Sequence, residues 1–197
     1  MLKYISSTVF ICGMVLLAIA QPAINNKSPL AFRSIVTAGI LEGQFDKTTA
    51  QFQMVNGVQK NTWFTGMGVG IDYYGRKRSV PLFVALEKDW WKNKKSPFVY
   101  VNGGYNFSWL RENEKRFFQG TGYSQTGGIF YELGLGYKFL LKNKMYLGFA
   151  AGYSEKRQSE KLSSPQFCTF CFPLPAPAVE EFNYTFKRIS IKMNCWF

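Results

Sequence analysis

Residues 127–139, GGIFYELGLGYKF, decide the fold. Ile129, Tyr131, Leu133, Leu135, Tyr137 and Phe139 fall on one side of an extended chain, and Phe130, Glu132, Gly134, Gly136 and Lys138 on the other. A period of two marks a β-strand whose faces meet different surroundings. In a soluble, lipocalin-like barrel the bulky face would point inward and the other would meet water. Glycine is a poor residue for a water-facing strand, because it costs entropy and packs nothing. Inside a narrow barrel, small residues make room for a few long ones. The bulky face is therefore expected to meet lipid.

The same pattern recurs along the chain. Strands are predicted at about 33–43, 49–59, 62–74, 78–90, 97–109, 127–141, 145–157 and 182–197. Each reaches or exceeds the roughly 9–11 residues that cross a bilayer at a steep tilt. Strand three sets Trp63, Met67, Val69, Ile71 and Tyr73 against Gly66, Gly68, Gly70 and Asp72. Strands one and two alternate less well, with Asn56 sharing the face of Phe52 and Met54. The expected fold is all-β, a closed antiparallel up-and-down eight-stranded transmembrane β-barrel.

At the other end of the chain, Lys3 precedes an apolar run from Val9 to Ala20 that closes on Ala18-Ile19-Ala20 before Gln21. A positive start, a short apolar stretch and a small-x-small site are the layout of a helical signal peptide. The expected organisation is a signal peptide over 1–20, a linker over 21–32 and the barrel over 33–197. Cleavage removes one lysine and no acid, so the formal charge falls from +12 to +11. No later apolar run is long enough for a spanning helix, so a spanning chain must use strands.

The connections carry a second signal. Lys60-Asn61, Trp91-Lys92-Asn93-Lys94 and Lys142-Asn143-Lys144 read as compact hairpin turns, whereas 111–126 and about 158–181 read as long loops. Short turns belong on the periplasmic side and long loops outside, with Gly75-Arg76-Lys77-Arg78 a short external exception. Trp63, Tyr73, Trp90, Trp109, Tyr137 and Phe197 stand at strand ends, as the interfacial girdles of membrane barrels do. The last strand alternates Ile189, Ile191, Met193, Cys195 and Phe197 with Ser190, Lys192, Asn194 and Trp196.

Three stretches carry a resemblance: 67–107 (MGVGIDYYGRKRSVPLFVALEKDWWKNKKSPFVYVNGGYNF), GGIFYELGLGYKF at 127–139, and the final RISIKMNCWF. They resemble small outer-membrane β-barrel proteins of Gram-negative bacteria, with an architecture like the eight-stranded barrels of the OmpA and OmpX type. The resemblance spans roughly residues 30–197 and implies an outer-membrane address. It also implies that the last strand, through Ile191, Met193, Cys195 and Phe197, looks like the signal read by the outer-membrane assembly machinery. It adds no catalytic residue.

The chain contains no histidine, which removes the usual general base of hydrolases and the commonest metal ligand. No enzymatic activity and no cofactor are expected. Asp72, Glu87, Glu132, Lys138 and Lys192 point into the predicted lumen and read as ion pairs. Glu87 is expected within reach of Lys138 or Lys192, with Asp72 pairing separately near the outer mouth. Cys168-Thr169-Phe170-Cys171 lies before Pro173, Pro175 and Pro177 and reads as a local disulfide or as unpaired thiols, since a zinc site needs about four ligands.

Basic residues gather toward the predicted outer side: Arg76, Lys77, Arg78, Arg111, Lys115, Arg116, Lys156, Arg157, Lys161, Lys187 and Arg188. In an exported barrel they suit phosphorylated lipopolysaccharide rather than nucleic acid. Solvated loop charge is the alternative. The expected protein is a monomer with a packed lumen that serves envelope structure or surface contact. A narrow pore for small solutes is the competing reading, and a secreted lipocalin-like binding barrel a third.

Overall fold

The computed structural model describes residues 30–43, 46–74, 77–92, 94–110, 122–142, 145–164 and 178–197. Nine strands are drawn from them: β1 (Leu30–Gly43), β2 (Asp46–Lys60), β3 (Trp63–Tyr73), β4 (Lys77–Asp89), β5 (Lys95–Leu110), β6 (Gly122–Thr126), β7 (Gly128–Lys142), β8 (Met145–Ser164) and β9 (Ala178–Trp196). Each barrel strand pairs antiparallel with its neighbour in the chain, and β1 pairs with β9 to close the wall. Short β6 runs beside the outer end of β8 and continues the line of β7. The barrel wall is therefore eight strands around.

Register sets the size of the barrel. Following paired residues from Leu30 through Lys60, Trp63, Lys88, Val99, Leu135, Ala151 and Ile191 returns to β1 at Ile40. Each circuit thus climbs ten residues, from position 30 to position 40. With about 3.3 Å per residue and about 4.7 Å between strands, eight strands at that stagger tilt by about 41° and close at a radius of about 8 Å. Side chains can fill such a bore.

The outer surface is apolar. Met67, Val84, Leu133, Leu135, Phe149 and Ile191 each leave about half or more of their area exposed. This is the reverse of a lipocalin-like barrel, whose bulky side chains point inward. Trp63 and Tyr73 are both outward on β3, 47% and 44% exposed. The ten residues of rise between them amount to about 25 Å along the axis at this tilt, the height of the apolar band of an outer-membrane barrel. Asn56, out of place on that face, accepts a hydrogen bond from Ser34 Oγ across the β1–β2 pair at 2.6 Å. Ser34 also holds the closing seam, where its backbone exchanges hydrogen bonds with Phe197 at 2.9 and 3.0 Å.

Inside, glycines seat aromatic rings. A Cβ on Gly68 would lie 2.5 Å from the ring of Phe83, and one on Gly136 would lie 2.4 Å from that of Phe98. Phe83 and Phe98 are themselves buried. The glycine face of the strands is therefore a set of sockets for lumen aromatics.

Several expected boundaries shift. β1 begins at Leu30, so residues 30–32, assigned to the linker, belong to the barrel; Leu30 and Phe32 continue its outward face. Residues 122–126 form β6 rather than loop. β8 and β9 run on through Ser164 and from Ala178, paired from Gln158↔Tyr184 to Ser164↔Ala178, where a long loop was expected. Both faces of the β8 extension carry polar residues, from Arg157 to Lys161, so the apolar–polar alternation that reveals a strand disappears. The signal peptide at 1–20 lies outside the described residues.

Candidate functional site

The inward side chains build three charged tiers. In the lowest, Lys138 on β7 lies 3.1 Å from Glu87 and 2.5 Å from Asp89 on β4. Trp196 Nε1 donates to the second oxygen of Glu87 at 3.3 Å. The Lys138 ammonium also sits against the rings of Trp196, Phe98 and Tyr146 at 5.2–5.8 Å. Such rings help hold a desolvated cation.

The middle tier centres on Glu132, which is fully buried. Lys192 on β9 donates to it at 2.6 Å and to Gln53 Oε1 at 2.9 Å. Tyr100 Oη and Gln53 Nε2 approach the same carboxylate at 3.4 Å. Every strong group of this cluster has a partner, the condition under which a buried charge pair is tolerated.

In the upper tier Lys156 on β8 pairs with Asp72 on β3, and both are buried. The Lys156 ammonium lies 4.9 Å from the centre of the Phe130 ring, and Phe130 packs edge-on against Phe83 at 5.5 Å. Arg188 donates to Thr49 Oγ1 at 3.1 Å and stacks over Tyr74 at 4.7 Å. These two cations correct the sequence reading, which set Lys156 and Arg188 among the basic residues of the outer rim and loops. Inward parity carries both into the bore, at the level of Asp72. Asp89, Trp196 and Tyr100 also belong to the tiers; strand parity would have found them, but none had been singled out.

Within the three tiers Lys138, Lys156, Arg188 and Lys192 face Asp72, Glu87, Asp89 and Glu132. The space left between the lower and middle tiers, bounded by Ile35, Thr37, Phe64 and Asn194, amounts to about 30 Å³. That holds about two waters.

Outside, Arg78 lies over the Tyr73 ring at 5.5 Å, at the level of the upper girdle. Around the wall at a similar height, Glu155 accepts from Tyr131 Oη at 2.5 Å and lies 3.5 Å from the exposed Arg157 guanidinium, with Lys187 directly across the strand pair. On the projecting β8–β9 hairpin Lys161 lies 3.2 Å from Glu181, and its hydrogen bond holds that carboxyl below the usual range. Of the remaining expected outer contacts, Lys77 begins β4, while Arg76, Arg111, Lys115 and Arg116 lie outside the described residues, as do Cys168 and Cys171. On β9, Ile191 and Met193 face outward with Phe197 beyond them, and Cys195, half-buried on the same face, is a free thiol.

No family model matches the sequence, and neither does any curated protein. Solved structures do. The outer membrane protein OprG from Pseudomonas aeruginosa aligns over 84% of this chain and 95% of its own, with a TM-score of 0.55 at 11% identity. Neisserial surface protein A (NspA) aligns over 85% of this chain and 96% of its own, at TM-score 0.49 and 9% identity. The chain therefore has the fold of an outer-membrane β-barrel protein.

Proposed function

We propose that this protein is an integral barrel of the outer membrane with a plugged lumen, serving envelope structure or surface contact, with no catalytic step. The three tiers of paired charges support this reading most directly: they occupy the bore from the level of Asp89 to that of Asp72 and leave room for only about two waters between the lower tiers. Lipid solvates the apolar band between Trp63 and Tyr73. The assembly machinery is the partner we assign to the outward face of β9, and the inserted protein is a monomer.

Lipopolysaccharide is the outer-leaflet ligand that the basic rim fits. Arg78 beside Tyr73, and Arg157 with Lys187 around Glu155, present guanidinium and ammonium groups where lipid phosphates would lie. Arginine forks and lysine point charges are suited to those groups. Single-channel recording in planar bilayers tests the plug against the narrow-pore reading, and the expected trace stays at the baseline of protein-free membrane. Steady conductance would establish the pore instead.

A further inference from the structure

The lower end of the barrel opens into a second, much larger cavity of about 340 Å³, outside the plug. We propose that it is a binding site for a small ligand bearing a carboxylate next to an amide, such as an acylated amino acid or the C-terminus of a short peptide. The cavity is large enough, since small-molecule sites start at roughly 300 Å³.

Its charges are unbalanced. Lys138 and Asp89 both form part of the wall and pair with each other at 2.5 Å, Lys138 also reaching Glu87 at 3.1 Å, which leaves two further cations in the described wall against no further acid. Arg33 and Lys92 also line it, and among the described residues no carboxylate lies within ion-pairing distance of either. The Arg33 guanidinium lies 5.0 Å over the ring of Tyr146. A guanidinium held against a ring is pre-oriented and keeps its N–H edge free for a bidentate carboxylate. Among the described residues Lys92 Nζ reaches Asn61 Oδ1 alone, at a weak 3.4 Å. The residues leading into β1, QPAINNKSP at 21–29, include one lysine and no acid, so that stretch carries no counter-charge.

The rest of the wall matches the remainder of such a ligand. Gln59 spends its amide nitrogen on Asn61 O at 3.1 Å and Asp89 Oδ2 at 3.3 Å, which leaves its carbonyl oxygen to accept an amide N–H. Trp91 and Tyr146 offer ring surface to a small apolar side chain. Two sources share this chemistry. One is a free carboxylic acid crossing the periplasm; the other is the carboxyl end of a cell-wall peptide. Placing this mouth in the periplasm rests on the function proposed above, whereas binding in detergent does not.

Isothermal titration calorimetry on the detergent-solubilised protein at low ionic strength tests the site. The probes are N-acetyl-D-alanyl-D-alanine, N-acetylalanine, and N-acetylalanine amide as the uncharged control. Saturable heat is expected with the dipeptide and none with the amide. Arg33→Gln and Lys92→Gln should each weaken binding by about ten-fold or more, as for loss of a charged hydrogen bond. Lys161→Gln, at the far end of the molecule, should leave it unchanged. Lys92 is on an exposed turn, so its variant tests the site even where Arg33→Gln folds poorly. Preference for the dipeptide assigns the site to a cell-wall peptide, and equal binding of N-acetylalanine assigns it to free acylated acids. Absence of saturable heat with both acids, equal binding of the amide, or wild-type affinity in Arg33→Gln and Lys92→Gln would overturn the proposal.

Discussion

Lys192 Nζ lies 2.6 Å from a Glu132 carboxylate oxygen, 60 residues away in sequence, and both side chains are almost wholly shut off from solvent. Glu132 in particular is wholly buried and relies on protein donors alone. Removing one should therefore cost far more than removing both.

Glu132→Ala is expected to destabilise the folded barrel by about 3–5 kcal/mol, because Lys192 is left buried without its anion. Glu132→Leu combined with Lys192→Met should recover most of that loss. Urea titrations of folding into lipid vesicles measure both. A double variant as unstable as the single one would show that the pair is not coupled.

Gly68→Ala places a methyl group 2.5 Å from the Phe83 ring and 2.9 Å from Val55. Overpacking of this kind costs about 1–3 kcal/mol. Phe83→Leu in the same chain should restore part of the stability, because all three nearest atoms belong to side chains. The same titrations decide it; no rescue would mean that strain in the strand itself, not the ring, sets the cost.

Leu133 and Glu132 are neighbours on β7 with opposite fates: Leu133 is half exposed on the outer wall, near mid-band, and Glu132 is buried. Leu133→Arg should cost about 2–4 kcal/mol of insertion energy. Outward Arg157→Leu, above the band, should change insertion by much less. Equal penalties would place the membrane elsewhere on the wall.

Glu87→Ala removes an acid of the lowest tier only. The bore should stay closed, since the Glu132–Lys192 and Asp72–Lys156 pairs still fill it. Bilayer recordings of this variant are expected near baseline. Channel-like steps would identify the Lys138 tier as the sole gate.

Much of this architecture was readable before any coordinates. Period two in β3, β5, β7 and β9 sorted side chains into an apolar and a glycine-polar face, and hairpin chemistry at Lys60-Asn61 marked a turn in which Asn61 adopts φ 59°. Asparagine tolerates that left-handed backbone. The outer extensions of β8 and β9 were hidden, because Arg157, Gln158, Ser159, Glu160 and Lys161 are all polar and show no apolar–polar alternation, although Gln158 and Glu160 are buried.

By itself, the sequence determined which way each membrane-embedded side chain points, because a strand in lipid has only two faces and their chemistries differ. Who meets whom inside was decided by the tertiary structure alone. Asp72 and Lys156 are 84 residues apart, and nothing local relates them. Their meeting depends on the closure of β1 onto β9 with a climb of ten residues per circuit, which sets the height of every inward residue. That stagger is a property of the whole ring of strands. It converts two charges read as rim decoration, Lys156 and Arg188, into parts of the plug.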